Sequence, residues 1–308
     1  MIKTIQEVLQ SGTAYLSARG IEGARSSMQA MLAHVLGKDR TWLYLHAEDA
    51  VGETALAPLR EMLRARGQGT PLQHLLGTVE FYRREFRTDA RALIPRPETE
   101  ELVELALARA PRKDGLRVLD MGCGSGVIGI TLALELKSLH PEVTLADVSP
   151  AALSLALENA TRLGARVRTY ASDLFSAWEA PAGEEDTRII PPTPYDLVLA
   201  NLPYVPLGES LAPEVQHDPP TARFGGADGL DIIRRFLTDA TPHLAPGALV
   251  MLEVGHDQGP TVAEYMKSHG YEDVELLVDM SNNKIIDSIK HISIDVNRAR
   301  QTLPGKLY

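Results

Sequence analysis

From Leu116 onward, short apolar runs alternate with amphipathic stretches. The alternation predicts strands at 117–121, 142–147, 166–170, 195–200, 247–254 and 272–279, with helices at 126–137, 150–163, 229–240 and 258–269. A mixed pattern from Lys284 to Ile294 suits one more strand, bringing the sheet to seven, and no pattern follows from Asp295 to Tyr308. Strand and helix in regular alternation specify an α/β fold with a doubly wound, mostly parallel sheet. The proline-rich stretch from Ser176 to Pro194, with its Glu184-Glu185-Asp186 run, breaks the alternation and reads as a surface loop.

The first part of the chain has a different period. Ile5, Val8, Leu9 and Leu16, then Met28, Met31, Leu32, Val35 and Leu36, then Leu56, Leu59, Met62 and Leu63 recur at helical spacing, and Gly20, Gly37 and Gly67 fall where helices should stop. Residues 1–70 are therefore expected to form a small α-helical bundle. Residues 71–96 read as a linker carrying a β-hairpin between Thr78 and Thr88. The prolines of Leu93-Ile94-Pro95-Arg96-Pro97-Glu98-Thr99-Glu100 forbid a regular element until a helix opens at Pro97 with an acidic first turn. A catalytic domain would then occupy 97–308.

Charge divides the chain in the same way. Residues 1–117 carry 17 basic and 15 acidic side chains, whereas residues 118–308 carry 14 and 26. An acidic catalytic half repels a phosphate backbone, so stable nucleic-acid binding is not expected. Arg83, Arg84, Arg87 and Arg91 interleave with Glu80, Glu85 and Asp89 and read as a solvated mixed face. No apolar run reaches the roughly 20 residues that cross a bilayer, and the N-terminus lacks a signal-like apolar stretch. A cytoplasmic protein, apart from membranes and monomeric, is the expectation. The single cysteine excludes an intramolecular disulfide and a cysteine-rich zinc site, so no metal is assigned.

Two motifs carry chemistry. Asp120-Met121-Gly122-Cys123-Gly124-Ser125-Gly126 lies between a strand and a helix, where glycines permit a sharp turn and close approach of a nucleoside ligand to backbone. Gly124-x-Gly126-x-x-Gly129 also satisfies the dinucleotide fingerprint, so the turn alone leaves the cofactor open. Asp147, closing the next strand, is placed to accept hydrogen bonds from both ribose hydroxyls. Asp173, with Leu174 beside it, is placed for an adenine amino group. The second motif, Asn201-Leu202-Pro203-Tyr204, ends the strand 195–200 with a neutral amide, a backbone carbonyl and an aromatic ring, which together suit gripping a planar NH₂ group. In a doubly wound sheet the first and fourth strands are neighbours, so both motifs should face one crevice.

With these motifs the sequence resembles the HemK-type release-factor glutamine methyltransferases, and the likeness spans most of the chain. Further matching segments are Pro71-Leu72-Gln73-His74-Leu75-Leu76-Gly77, Phe81-Tyr82, the Pro95-Arg96-Pro97 segment, Glu214-Val215, Gly225-Gly226-Ala227-Asp228-Gly229-Leu230, Leu252-Glu253-Val254-Gly255 and Gln258-Gly259. The resemblance implies a class I, Rossmann-like methyltransferase domain using S-adenosylmethionine. It implies an N-terminal domain that helps hold a protein substrate, the Gly-Gly-Gln loop of peptide-chain release factors. It also implies that the glutamine is bound at Asn201 through Tyr204, with Gly122, Cys123, Gly124, Ser125, Gly126, Asp147, Asp173, Leu174 and Asn201 around the cofactor. Two positions depart from the family pattern: Leu202 stands where proline is usual, and Ser281-Asn282-Asn283-Lys284 replaces an Arg/Asp-rich turn. The rival readings are methylation of a ribosomal-protein glutamine, methylation of adenine in RNA or DNA, and an NAD-dependent oxidoreductase.

Overall fold

A computed structural model describes residues 3–179, 190–209, 217–278 and 290–295. The acidic run at 184–186, the 281–284 segment and residues 296–308 lie outside these. The chain divides into two compact units: the helical residues up to Val79 with Thr88–Ala90, and the remainder of the hairpin with the sheet.

The helical unit contains α1 (Ile5–Ser17), α2 (Ala24–Leu36), α3 (Arg40–Leu45), α4 (Glu53–Gly67) and α5 (Leu72–Leu76). Thr4 starts α1 with a capping box: its hydroxyl accepts from the Glu7 amide while Glu7 accepts from the Thr4 amide. Ile5, Val8, Leu16, Met28, Met31, Leu32 and Leu59, the positions of the helical period, form its core.

The hairpin pairs β1 (Thr78–Phe81) with β2 (Arg84–Arg87). Tyr82 and Arg83 form its tip, both at positive φ, the conformation that matches a two-residue turn to strand twist. In the second unit follow α6 (Glu98–Arg109), β3 (Arg117–Met121), α7 (Val127–Glu135), β4 (Glu142–Asp147), α8 (Pro150–Leu163), β5 (Val167–Ala171), β6 (Tyr195–Asn201), α9 (Asp231–Ala240), β7 (Leu244–Val254), α10 (Gly259–Ser268), β8 (Glu272–Val278) and β9 (Lys290–Asp295). The elements up to β8 match the sequence expectation to within a few residues, and of the last expected strand, 284–294, the part before Lys290 lies outside the described residues. β7 starts earlier than expected, at Leu244, and runs through Pro246 and Gly247 beside a register shift against β6.

The sheet has seven strands in the order β5-β4-β3-β6-β7-β9-β8. The four pairings that link β5 through to β7 are parallel, and β9 runs antiparallel to both β7 and β8. Strand order reverses between β3 and β6, where Met121 lies opposite Ala200, so the ends of these two strands border one crevice. Asp196 locks their start: it is nearly buried, and its carboxylate accepts from Lys113 Nζ at 2.9 Å and from the Arg117 amide at 2.9 Å. The apolar cluster on one face of this sheet joins Leu119, Val198, Val250 and Leu252 to Phe236 and Leu237 of α9 and Met266 of α10. Among the described residues, no helix is long and apolar enough to cross a membrane and no acid, histidine or cysteine group is arranged to hold a metal ion.

Candidate active site

A cleft enclosing about 1060 Å³, its open mouth included, lies at the carboxyl ends of β3 and β6. Its floor at one end is the turn after β3. The amides of Gly122 and Cys123 both donate to the Ala146 carbonyl, folding the chain over the end of β4, and Gly126 caps α7 at positive φ. A Cβ on Gly122 would stand 2.9 Å from Leu202 Cδ2, so the glycine turn and the tetrapeptide pack against each other with no room for a side chain between them. Gly124 is less crowded: the nearest atom to a Cβ there is Ala92 Cβ at 3.8 Å, an ordinary van der Waals contact.

Asp147 lines the cleft, half-buried. One carboxylate oxygen accepts from the Gly124 amide at 2.9 Å and the other from Ser149 at 2.8 Å, while burial pushes its pKa above the ordinary carboxylate value. Each oxygen keeps a further lone pair for a hydroxyl donor. The helix cap of α8 is Ser149, whose hydroxyl accepts from Ala152, so Asp147 is not needed for that task. Asp173 stands exposed at the rim, accepting from Arg235 Nη2 at 2.9 Å, and Leu174 is buried beside it at positive φ. Ile128, Ala152, Leu174 and Ile232 supply apolar walls between these acids. A glycine turn lining the cleft, an acid holding spare acceptor capacity and an apolar slot between them fit a nucleoside with its ribose toward Asp147.

Of the sequence-predicted residues, Gly122, Cys123, Gly124, Ser125, Asp147, Asp173, Leu174, Asn201, Leu202 and Pro203 line this one cleft. Gly126 and Tyr204 do not. Gly126 faces inward, where a Cβ would meet Ile130 and Ala156, and Tyr204 packs half-buried against the main core. Cys123 is buried, its thiol pKa pushed well above the ordinary value by desolvation, as suits a small residue filling a tight turn.

Residues 7–77 match the PrmC N-terminal domain family and residues 101–204 the methyltransferase small domain. A release factor glutamine methyltransferase of Deinococcus radiodurans is 37% identical over 272 residues, covering 87% of this chain and 92% of that protein. This chain belongs to the release factor glutamine methyltransferase family. The enzyme of the same name from Geobacter sulfurreducens is 38% identical over 275 residues (88% and 91% covered), and that of Koribacter versatilis 35% over 294 (94% and 96%).

In this member of the family, several residues that the sequence left without a role build the Asn201 end of the cleft. The Gly225–Leu230 segment cradles the tetrapeptide: Val205 donates to the Arg223 carbonyl, Gly225 donates to the Val205 carbonyl, and Leu207 donates to Gly226. A Cβ on Gly225 would fall 2.3 Å from the Pro203 carbonyl oxygen, and one on Gly229 would fall 2.1 Å from that of Tyr204. Only glycine permits backbones this close. Gln258 ties the layers together, its Nε2 donating to the Tyr204 carbonyl at 2.8 Å and its Oε1 accepting from the Gly255 amide at 2.9 Å.

The Pro95-Arg96-Pro97 segment is held by Asp218, whose buried carboxylate accepts from Arg96 Nη2 at 3.0 Å and from the Ile94 amide at 3.3 Å. Thr99, just beyond it, reaches the cleft beside Asn201. Two buried acids lie close below. Desolvation raises Asp120 and Glu253 each to about 7, Asp120 accepting from the Gly129 amide and Glu253 from Thr99. A single acid inside an otherwise apolar strand, as in Val118-Leu119-Asp120-Met121 and Met251-Leu252-Glu253-Val254, is the signal that could have marked both. The arginines around the hairpin pair with acids of their own unit: Arg84 with Glu135, and Arg87 and Arg91 with Glu158. Asn159, fully buried on α8, joins that hairpin to the turn, donating to the Arg87 and Ser125 carbonyls and accepting from the Arg87 amide.

Proposed function

We propose that this chain methylates the side-chain amide nitrogen of a glutamine, that of the Gly-Gly-Gln motif in a peptide-chain release factor, with S-adenosylmethionine as donor. The observation that carries the reading is the single cleft lined by Gly122–Ser125 together with Asn201–Pro203. The names borne by relatives that match this chain almost end to end support the acceptor. An adenine-modifying or nicotinamide-dependent enzyme would need a basic groove or leave the tetrapeptide without a task.

When bound, S-adenosylmethionine supplies a methyl group on a sulfonium, an electrophile with a good leaving group. The difficulty lies with the acceptor, because a carboxamide nitrogen delocalises its lone pair into the carbonyl. Asn201 Oδ1 and the Leu202 carbonyl each accept one N–H, which orients the NH₂ toward the methyl, and the proton lost on methylation passes to solvent. Such positioning supplies up to roughly 7–11 kcal/mol in ideal intramolecular cases, so no strong base is called for. Asp147 holds the ribose, Asp173 and Leu174 meet the adenine, and Pro203 keeps Leu202 extended. Tyr204 supports the turn from the core side rather than by covering the acceptor. Residues 1–70 form the docking domain for the release factor, residues 71–96 the linker, and residues 97–308 the methyltransferase domain of a cytoplasmic monomer.

The test is incubation with methyl-labelled S-adenosylmethionine and, in separate reactions, a release factor, ribosomal proteins and RNA, followed by mass mapping. Label on the glutamine amide of Gly-Gly-Gln is expected; label confined to RNA or to a ribosomal protein contradicts the reading.

A further inference from the structure

The chemistry above leaves a buried acid unused. Glu253, 1% exposed near the end of β7, lies opposite Asn201 in the β6–β7 register. Its Oε2 accepts the Thr99 hydroxyl at 2.8 Å, and Thr99 Oγ1 accepts Asn201 Nδ2–H at 3.3 Å. We infer that Thr99 and Glu253 are positioning residues that dictate which end of the Asn201 amide faces the acceptor.

The roles are forced one after another. At the pH 8 of the assay below, above the value of about 7 to which burial lifts it, Glu253 is ionised and only accepts, so the one hydroxyl hydrogen of Thr99 is committed to it. Thr99 Oγ1 then has only lone pairs left for Asn201, which must present its NH₂ to Thr99 and its Oδ1 elsewhere. Flipping the amide would set Oδ1 against Oγ1, two acceptors with no hydrogen between them. Thr99 and Glu253 are buried, which limits the water that could relieve that repulsion and makes the wrong orientation costly. The Asn201 side chain also hydrogen-bonds Glu253 directly, which favours the same NH₂-inward orientation, and the charged groups that bear on Glu253 are Glu98 and Arg96. The three side chains come from α6, β6 and β7, so the relay also fixes where Asn201 sits across the cleft.

This inference rests on Asn201 Oδ1 being the group that accepts the glutamine N–H, and the experiment separates the two. Thr99→Val, Thr99→Ala, Thr99→Ser, Glu253→Gln and Asn201→Ala are assayed at pH 8 with release factor and labelled S-adenosylmethionine. Turnover, KM for the release factor and calorimetric affinity for S-adenosylmethionine are all recorded. Thr99→Val and Thr99→Ala are expected to lower kcat by about ten- to hundred-fold, the scale of a misplaced reacting group, with KM and donor affinity within about threefold. Thr99→Ser, which restores the hydroxyl, recovers most of the rate. Glu253→Gln keeps the shape but no longer dictates direction, and it too lowers kcat. Unchanged kcat in Glu253→Gln overturns the inference even if the Thr99 variants do not fold. So does an equal loss in Thr99→Val and Thr99→Ser, because volume and not the hydroxyl would then matter. Near-normal turnover in Thr99→Val with an inactive Asn201→Ala overturns the relay while sparing the acceptor reading. Near-normal turnover in Asn201→Ala sinks both.

Discussion

The glycine-turn end of the cleft and the Asn201 end are built from different material. At the first, a contiguous stretch, Gly122 to Gly126, folds over the end of the neighbouring strand β4, and its one outside carboxylate, Asp147, closes that same strand and is held by two nearby amides. At the second, a tetrapeptide is held by side chains and glycines drawn from far along the chain: Thr99, Gly225, Gly229, Glu253 and Gln258. The first end is a local backbone device that, on the proposed reading, binds the donor. The second is a tertiary assembly that, on the proposed mechanism, orients the acceptor, and that mechanism draws its rate from orientation.

Breaking the two ends separately should therefore give separate defects. Asn201→Ala is expected to have the largest effect, a loss of methyl transfer of at least about a hundred-fold with donor affinity held within about threefold. Single-turnover rates beside calorimetry check this, and retention of near-normal turnover removes the proposed grip. Gly229→Ala comes next. It places a Cβ on the Tyr204 carbonyl at a position with φ +79°, so turnover and folding stability fall together, the latter by about 2–4 kcal/mol. Donor binding to the folded fraction should survive, and a selective loss of donor affinity would erase the contrast between the ends. Asp147→Ala is the converse: weaker donor binding by about ten- to hundred-fold, from lost hydrogen bonds to a charged group, with the KM for the release factor little changed. Unaltered donor affinity contradicts the ribose assignment.

Glu253→Gln sharpens the comparison through pH. Burial lifts Glu253 to about 7 from 4.5, so between those values the folded protein retains a proton that the unfolded chain has released. The parent protein loses stability on this account as pH rises from about 4, and the loss is complete once pH exceeds about 7. Unfolding free energy of the variant relative to the parent should accordingly improve by on the order of 3 kcal/mol between pH 4.5 and 8, measured by denaturant titration. A difference that does not change with pH contradicts an ionisable group buried there. The smallest effect is expected from Leu202→Pro, which preserves the carbonyl that matters and fixes φ; turnover should stay within about threefold of the parent or rise. Severe loss would show that the Leu202 side chain, packed on Gly122, is itself required.

The same contrast explains what the sequence made legible. Alternation from Leu116 onward gave the sheet and its helices, and the glycines at 122, 124 and 126 sat between a readable strand and a readable helix. Placing Asn201 beside them needed only the rule for where doubly wound strand order reverses. The supports of Asn201 were not legible, because Thr99, Gly229, Glu253 and Gln258 acquire meaning only when α6, the 225–230 segment, β7 and α10 converge. Tyr204 shows a related limit: next in sequence to the cleft, it lies outside the cleft lining and packs half-buried against the core. Tyr82 and Arg83 at the hairpin tip carry none of the usual glycine or asparagine signal for their positive φ.

The most direct test of the central claim is the crystal structure of this enzyme with S-adenosylhomocysteine and a Gly-Gly-Gln peptide. The account predicts the glutamine nitrogen about 2.9 Å from both Asn201 Oδ1 and the Leu202 carbonyl, with its free side toward the sulfur. A glutamine amide turned away from Asn201, or one hydrogen-bonded to a titratable side chain placed to deprotonate it, would contradict it.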